Sequence, residues 1–271
     1  MSILFLLSIA QIRTKIGGVF MERKVPKRRI EKIVISGNVI EYYRYLKPLI
    51  VEPREHDIEK NRETSEGKRD RNLYRARADL RRAIWCNTTA YTKFVTLTYK
   101  DTVLDQDQVL YDWKQFIKNL RRKGYKVPYV YITEHQKKRG LKEGNEGCLH
   151  IHAVLFTDDF ISADIINACW GKGRTEIKAL RSINNLGAYV CKYLTKEEFD
   201  LYHKHSYHLS RGLKKPEVLT TDGYIGQWRD MYSNIHENTK VIYSNATEFV
   251  YAGADGSIQS NTILYEQGIF R

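Results

Sequence analysis

The sequence predicts an α+β protein: a central antiparallel sheet with helices packed on it, followed by a small β-rich appendage. Three observations carry this reading. Strand-like runs at Phe94–Tyr99, Val127–Glu134 and Cys148–Phe156 are broken up by helix-like stretches from residue 93 onward. Val109, Leu110, Trp113, Phe116, Ile117 and Leu120 form one apolar stripe at helical spacing, which predicts a helix over 107–122. Hairpin signals at 247–251 and 258–265, around Asp255-Gly256, mark the tail as β-rich.

Taken in order, the chain begins with an apolar stretch over residues 1–10. It is too short to span a bilayer and lacks the basic start of a signal peptide, so residues 1–20 are expected to be a dispensable extension before Met21. Gly37-Asn38 separates Ile33-Val34-Ile35 from an aromatic run, which predicts a hairpin within an N-terminal segment, 1–51. Residues 52–71 are charged, of mixed sign and poor in apolar side chains, and read as a linker. Leu73, Ala76, Leu80 and Ile84 recur at helical spacing, with Arg75, Arg77 and Arg81 on the other faces. That helix is either solvated or tracks DNA phosphates.

Beyond the strand and helix already described, a helix opens at Ser162 as N-cap and runs through Trp170. A short strand covers 175–180, and a last helix runs from Ser182 to about Lys196. The order β-α-β-β-α-β, then a helix, is the split βαβ, ferredoxin-like plan. It sets a main domain at 72–210 and an appendage at 211–271.

Composition narrows the function. The 45 Lys+Arg against 32 Asp+Glu give a formal charge of +13, which favours a polyanionic partner, nucleic acid ahead of a membrane surface. Cys86, Cys148, Cys169 and Cys191 form no Cys-x-x-Cys pair, which argues against disulfides and structural zinc and for reduced thiols in the cytoplasm.

The chemistry gathers on three stretches. His150 and His152 lie in an otherwise apolar strand and point to one face, where they are either hydrogen-bonded core histidines or a metal-binding pair. Glu134 ends the preceding strand; if the two strands pair, it joins the imidazoles. Two histidines and a carboxylate suit Mn²⁺ or Mg²⁺ acting on a phosphate oxygen. In the last helix, Tyr189 and Tyr193 share a face, and Lys192 and Lys196 repeat the pattern one register later. Such tyrosines are ordinarily packing residues, yet a phenol beside an ammonium or a metal can become a nucleophile. His203, His205 and His208 read as solvated loop residues.

Together, Phe94 to Asp101, Glu134-His135-Gln136-Lys137-Lys138-Arg139-Gly140 leading to His150-Ile151-His152, and Tyr189-Val190-Cys191-Lys192-Tyr193 resemble the three motifs of the HUH endonuclease superfamily. The ordered set is similar to the two-tyrosine rolling-circle replication initiators of bacteriophages and plasmids. Asn72 to Asn87 and Ser210 to Pro216 add to the likeness, which spans about residues 72–216.

The resemblance implies that His150, His152 and Glu134 hold a divalent metal, Mn²⁺ or Mg²⁺. It implies that Tyr189 attacks single-stranded DNA at a replication origin, forming a 5′-phosphotyrosine and releasing a 3′-hydroxyl. Tyr193 would perform a second cleavage that lets the strand be rejoined, and Lys192 and Lys196 would stabilise the transition state. No Gly-x-x-x-x-Gly-Lys-Ser/Thr loop occurs, so a host helicase, with a host polymerase, is the implied partner. A transposase of the same chemistry and a non-catalytic origin binder or repressor are the competing readings.

Overall fold

The computed structural model describes residues 27–51, 65–135, 148–179, 183–195, 207–220, 233–252 and 257–270. Residues 1–20, the linker as far as residue 64, Gln136 to Gly140, Lys196, His203, His205 and the Asp255-Gly256 turn lie outside them. The described residues form ten strands and four main helices, arranged as two antiparallel five-stranded sheets in two compact units.

The first unit joins both ends of the chain. β1 (Lys27–Ser36) and β2 (Val39–Val51) form the hairpin expected at Gly37-Asn38, where Gly37 takes φ +63°. β8 (Glu217–Thr220) pairs with β1, while β10 (Ile258–Phe270) pairs with both β2 and β9 (Thr239–Ala252). The sheet order is β8-β1-β2-β10-β9. Ile33, Ile35, Ile40, Tyr42 and Ile235 form its core. The Asn261 side chain accepts from Lys47 N and donates to Lys47 O, at 2.9 and 2.7 Å, which pins β10 to β2. The N-terminal hairpin and the C-terminal appendage, set apart in the sequence reading, are thus strands of one sheet. Local patterning shows each hairpin and carries no information about pairing across some 200 residues.

The second unit is continuous up to Pro216. α1 (Ser65–Asn87) begins inside the stretch read as linker, because charged residues of mixed sign make an adequate helical face once one stripe is buried. The sheet then runs β3 (Lys93–Leu97), β4 (Tyr129–His135), β5 (Leu149–Leu155), β6 (Thr175–Ala179) and β7 (Tyr207–Leu209), in the spatial order β6-β3-β5-β4-β7. Between β3 and β4 lies α2 (Gln106–Arg122), capped by Asp105. Between β5 and β6 lies α3 (Ala163–Trp170), capped by Ser162 as the sequence predicts. α4 (Ile183–Cys191) follows β6.

β5 shows how the layers are built. Leu149, Ile151, Ala153 and Leu155 face a core shared with Val109, Trp113, Phe116 and Leu120 of α2 and Ile166, Cys169 and Trp170 of α3. The alternate residues face the other side, where Val154 packs with Leu80 and Ile84 of α1 and Val190 and Cys191 of α4. Both faces are covered, so the strand is apolar throughout except for its two histidines. Trp113 is fully buried among Phe116, Tyr129 and Tyr131, with ring centroids 4.6–5.4 Å away. Trp113→Ala is expected to cost about 3–5 kcal/mol in urea unfolding followed by far-UV circular dichroism.

Gly171 ends α3 in the left-handed conformation (φ +62°), and Gly173 lies so close to the Thr98 carbonyl that an added Cβ would collide with it. That contact lets the backbone continue past β3 and β6, with Thr98 N donating to Arg174 O and Lys100 N to Lys172 O, both at 2.9 Å. Among the described residues no helix is long and apolar enough to cross a membrane.

Candidate active site

The site grows from sheet register. Cross-strand partners share a face. Glu134 stands opposite His150; the next row runs Glu176, Thr96, His152, Ile132; the row after it runs Lys178, Phe94, Val154, Val130. Acid, imidazoles and lysine therefore arise on one sheet face from four strands, and α4 lies over it.

Within this face Glu134 Oε2 is 2.7 Å from His152 Nε2, and Thr96 Oγ1 is 3.2 Å from His152 Nδ1. The His150 and His152 ring centroids lie 6.4 Å apart. Both histidines are buried. Among the described residues no three His, Cys, Asp or Glu side chains are gathered as a ready metal cluster. Instead, the Glu134 carboxylate engages His152 directly. The donor set itself, two imidazoles and a carboxylate on one face, has the chemistry a divalent cation takes, and Thr96 at Nδ1 leaves Nε2 as the outward nitrogen.

The tyrosines come from α4 and its exit. Gly187 lets the helix approach α1 closely, an added Cβ lying 3.1 Å from Arg81 Cγ and 3.2 Å from Trp85 Nε1. Contrary to the expected continuous helix, α4 ends at Cys191. Tyr193 N donates to Val190 O and Leu194 N to Cys191 O, both at 3.1 Å, a tightened last turn. This turn lays the Tyr193 ring flat on His152, with centroids 3.7 Å apart and planes 15° apart. Tyr193 Oη donates to Tyr189 Oη at 3.0 Å. Phe94 forms the floor, stacked against His152 and Tyr193 and edge-on to Tyr189.

Two lysines attend the pair differently. Lys192 sits over the ring faces, 3.8 Å from the centroid of Tyr189 and 4.7 Å from that of Tyr193. Lys178 of β6, which the sequence reading passed over, donates from Nζ to Tyr189 Oη at 3.2 Å and pairs with Glu176 at 3.1 Å. The two phenols are driven apart. Tyr189 is pushed below the ordinary tyrosine pKa, first by the hydrogen bond from Tyr193, then by that from Lys178 and by the charges of Lys192 and Lys178, against the opposing effect of burial. Tyr193 is pushed well above it, first by burial, then by its bond to Tyr189 and by negative charge at Tyr189, Glu134 and Glu176.

The arginines of α1 divide. Arg77 donates from Nε and Nη2 to the Leu194 carbonyl at 3.0 and 2.8 Å, clamping the turn that carries Tyr193. Arg81 packs over Gly187, whereas Arg75 is exposed. Two of the three arginines are thus engaged with the tyrosine segment. Sequence periodicity missed this because the helix shows two buried stripes rather than one. His208, read as a loop residue, lies on β7, and its ring stacks on Tyr131 with centroids 4.4 Å apart.

No curated protein and no solved structure gives a significant match to the chain. Residues 92–198 match the family model of the ORF2-type replication-associated proteins. That stretch holds Glu134, both histidines, both tyrosines and Lys178, and over it the chain is similar to that family, which supports a role in DNA replication initiation.

Proposed function

We propose that this protein nicks single-stranded DNA at a replication origin as a two-tyrosine HUH endonuclease and strand transferase, starting rolling-circle replication. The observation that carries the reading is the junction of two phenols with a histidine–carboxylate pair: Tyr193 stacks on His152, which meets Glu134, and its hydroxyl bonds Tyr189. A non-catalytic DNA binder has no use for that arrangement.

In this reading Tyr189 Oη attacks phosphorus. The new bond is Tyr189 O–P, the bond that breaks is P–O3′, and its electron pair leaves with O3′, which takes a proton from solvent. The products are a 5′-phosphotyrosine and a 3′-hydroxyl for a host polymerase, with a host helicase opening the duplex. Tyr193 serves the second cleavage, which lets the strand be rejoined. His150, His152 and Glu134 are the residues that would hold Mn²⁺ or Mg²⁺, and such an ion, when bound, draws charge from a non-bridging phosphate oxygen. Lys192, and Lys196 beyond the described residues, add positive charge for the pentacovalent state.

The test is incubation with Mn²⁺ and a pool of single-stranded origin-like oligonucleotides, followed by denaturing gel and mass spectrometry. The expected result is a chelator-sensitive adduct on Tyr189. Tight DNA binding with no adduct would replace this reading with a non-catalytic binder, and an adduct confined to paired element ends would replace it with a transposase.

The arginines test the DNA path. Arg75→Ala is expected to lower the slope of log K against log salt by about one, the signature of one lost phosphate contact. Arg77→Met is expected to leave the slope alone and to destabilise the protein by about 1–3 kcal/mol, by stranding the Leu194 carbonyl.

A further inference from the structure

We propose that Lys178 is the catalytic residue that holds the attacking oxygen of Tyr189 in its anionic form, a part the sequence motif offers to Lys192. The inference rests on the nickase reading above and adds a residue to it. Three observations carry it. Lys178 Nζ is the ammonium that hydrogen-bonds Tyr189 Oη, at 3.2 Å, whereas Lys192 Nζ is aimed at the ring faces. Lys178 is set on a sheet strand in register with Phe94, the floor of the site, so its backbone is fixed relative to the histidine row. Glu176, two residues earlier on the same face, pairs with Lys178 at 3.1 Å and keeps the ammonium charged and aimed.

The groups around Tyr189 define what Lys178 must do. Lys178 and Glu176 face it from β6, Lys192 and Tyr193 from its own segment, and the apolar ring of Phe94 from β3. Behind Tyr193 lie His152 and Glu134, and Arg77 and Arg81 of α1 serve Cys191 and Leu194. Among the described residues, the donors to the Tyr189 oxygen are therefore one neutral phenol and one ammonium. In the step itself the Tyr189 proton passes to solvent, Lys178 remains an ammonium bonded to the phenolate, and the bond weakens as that oxygen's charge passes into the new O–P bond.

The experiment pairs two readouts on the full chain carrying ¹³Cζ-tyrosine: the Tyr189 titration by NMR without DNA, and single-turnover cleavage across pH. In Lys178→Met the Tyr189 midpoint is expected to rise. Cleavage near neutrality is expected to fall about 10–100-fold, with the gap to wild type closing as pH rises. Lys178→Arg, which keeps the charge, is expected to recover part of the rate. A wild-type rate and pH profile in Lys178→Met overturns the proposal. So does an equal loss at every pH, which marks a merely structural lysine. If the wild-type chain forms no adduct, the nickase reading fails on its own, and the NMR midpoint decides Lys178: unmoved overturns the contact, raised upholds it.

Discussion

Tyr189→Phe is expected to abolish covalent capture of single-stranded DNA and to lower cleavage by at least about a thousandfold, the scale on which nucleophile deletions act. The substitution removes one oxygen and leaves the ring that packs edge-on against Phe94, so the fold stays and the chemistry goes. Tyr193→Phe is expected to behave differently. It removes the donor to Tyr189 Oη, worth about 1 kcal/mol, or roughly fivefold in the first cleavage. The strand-rejoining product, which needs the second phenol, should vanish. Denaturing gels of single-turnover reactions separate the two outcomes. An adduct on Tyr193 in Tyr189→Phe, formed at the wild-type rate, would reverse the assigned order. The low pKa of Tyr189 and the high one of Tyr193 argue for the order given, because only the former offers phenolate near neutrality.

The second large effect is expected from the histidines. With His150→Ala and His152→Ala together, Mn²⁺ should no longer raise the thermal midpoint, and cleavage should fall at least about a hundredfold. A cation present at a hundred times its Kd stabilises a protein by about 2.7 kcal/mol, an effect a melting curve resolves. Emptying two buried positions of β5 also weakens the fold directly. The informative quantity is therefore the difference with and without Mn²⁺ within each protein. An undiminished Mn²⁺ shift in the double variant would place the cation elsewhere. Glu134→Gln refines this test, since Glu134 meets His152 at 2.7 Å and its carboxylate must turn to serve as a ligand.

Much of this site was legible in the chain because its parts lie in short, strongly patterned segments. The histidines stand out in β5 because both of its faces are buried, and a polar pair in such a strand has to be accounted for. Glu134 and His150 come together because adjacent strands form an antiparallel pair, the commonest outcome for neighbours. Lys178 could not be found this way. It lies on a five-residue strand with no anomaly of its own, and only the pairing of β6 with β3 brings it to the tyrosine. Phe94 was likewise only an apolar strand residue until register set it beneath three rings. Arg77 looked like a solvated cation because helical periodicity shows which face a residue takes, and the identity of the neighbour on that face depends on packing.

The joining of both chain ends in one sheet has a consequence for synthesis on the ribosome. β1 and β2 emerge first, and a lone two-stranded hairpin is marginal in water. Their partner β10 is made only after the whole second unit, about 200 residues later, which at 5–20 residues per second is roughly 10–40 s. The second unit, being continuous, can close its sheet and assemble the tyrosine–histidine cluster during that interval. A nascent chain interrupted late would carry a finished nucleolytic centre together with an open β2 edge lined by Tyr43 and Tyr45. Such an edge invites strand addition by other chains. The arrival of β10 thus serves as a completeness check, through which quality control can remove interrupted chains that are already chemically competent.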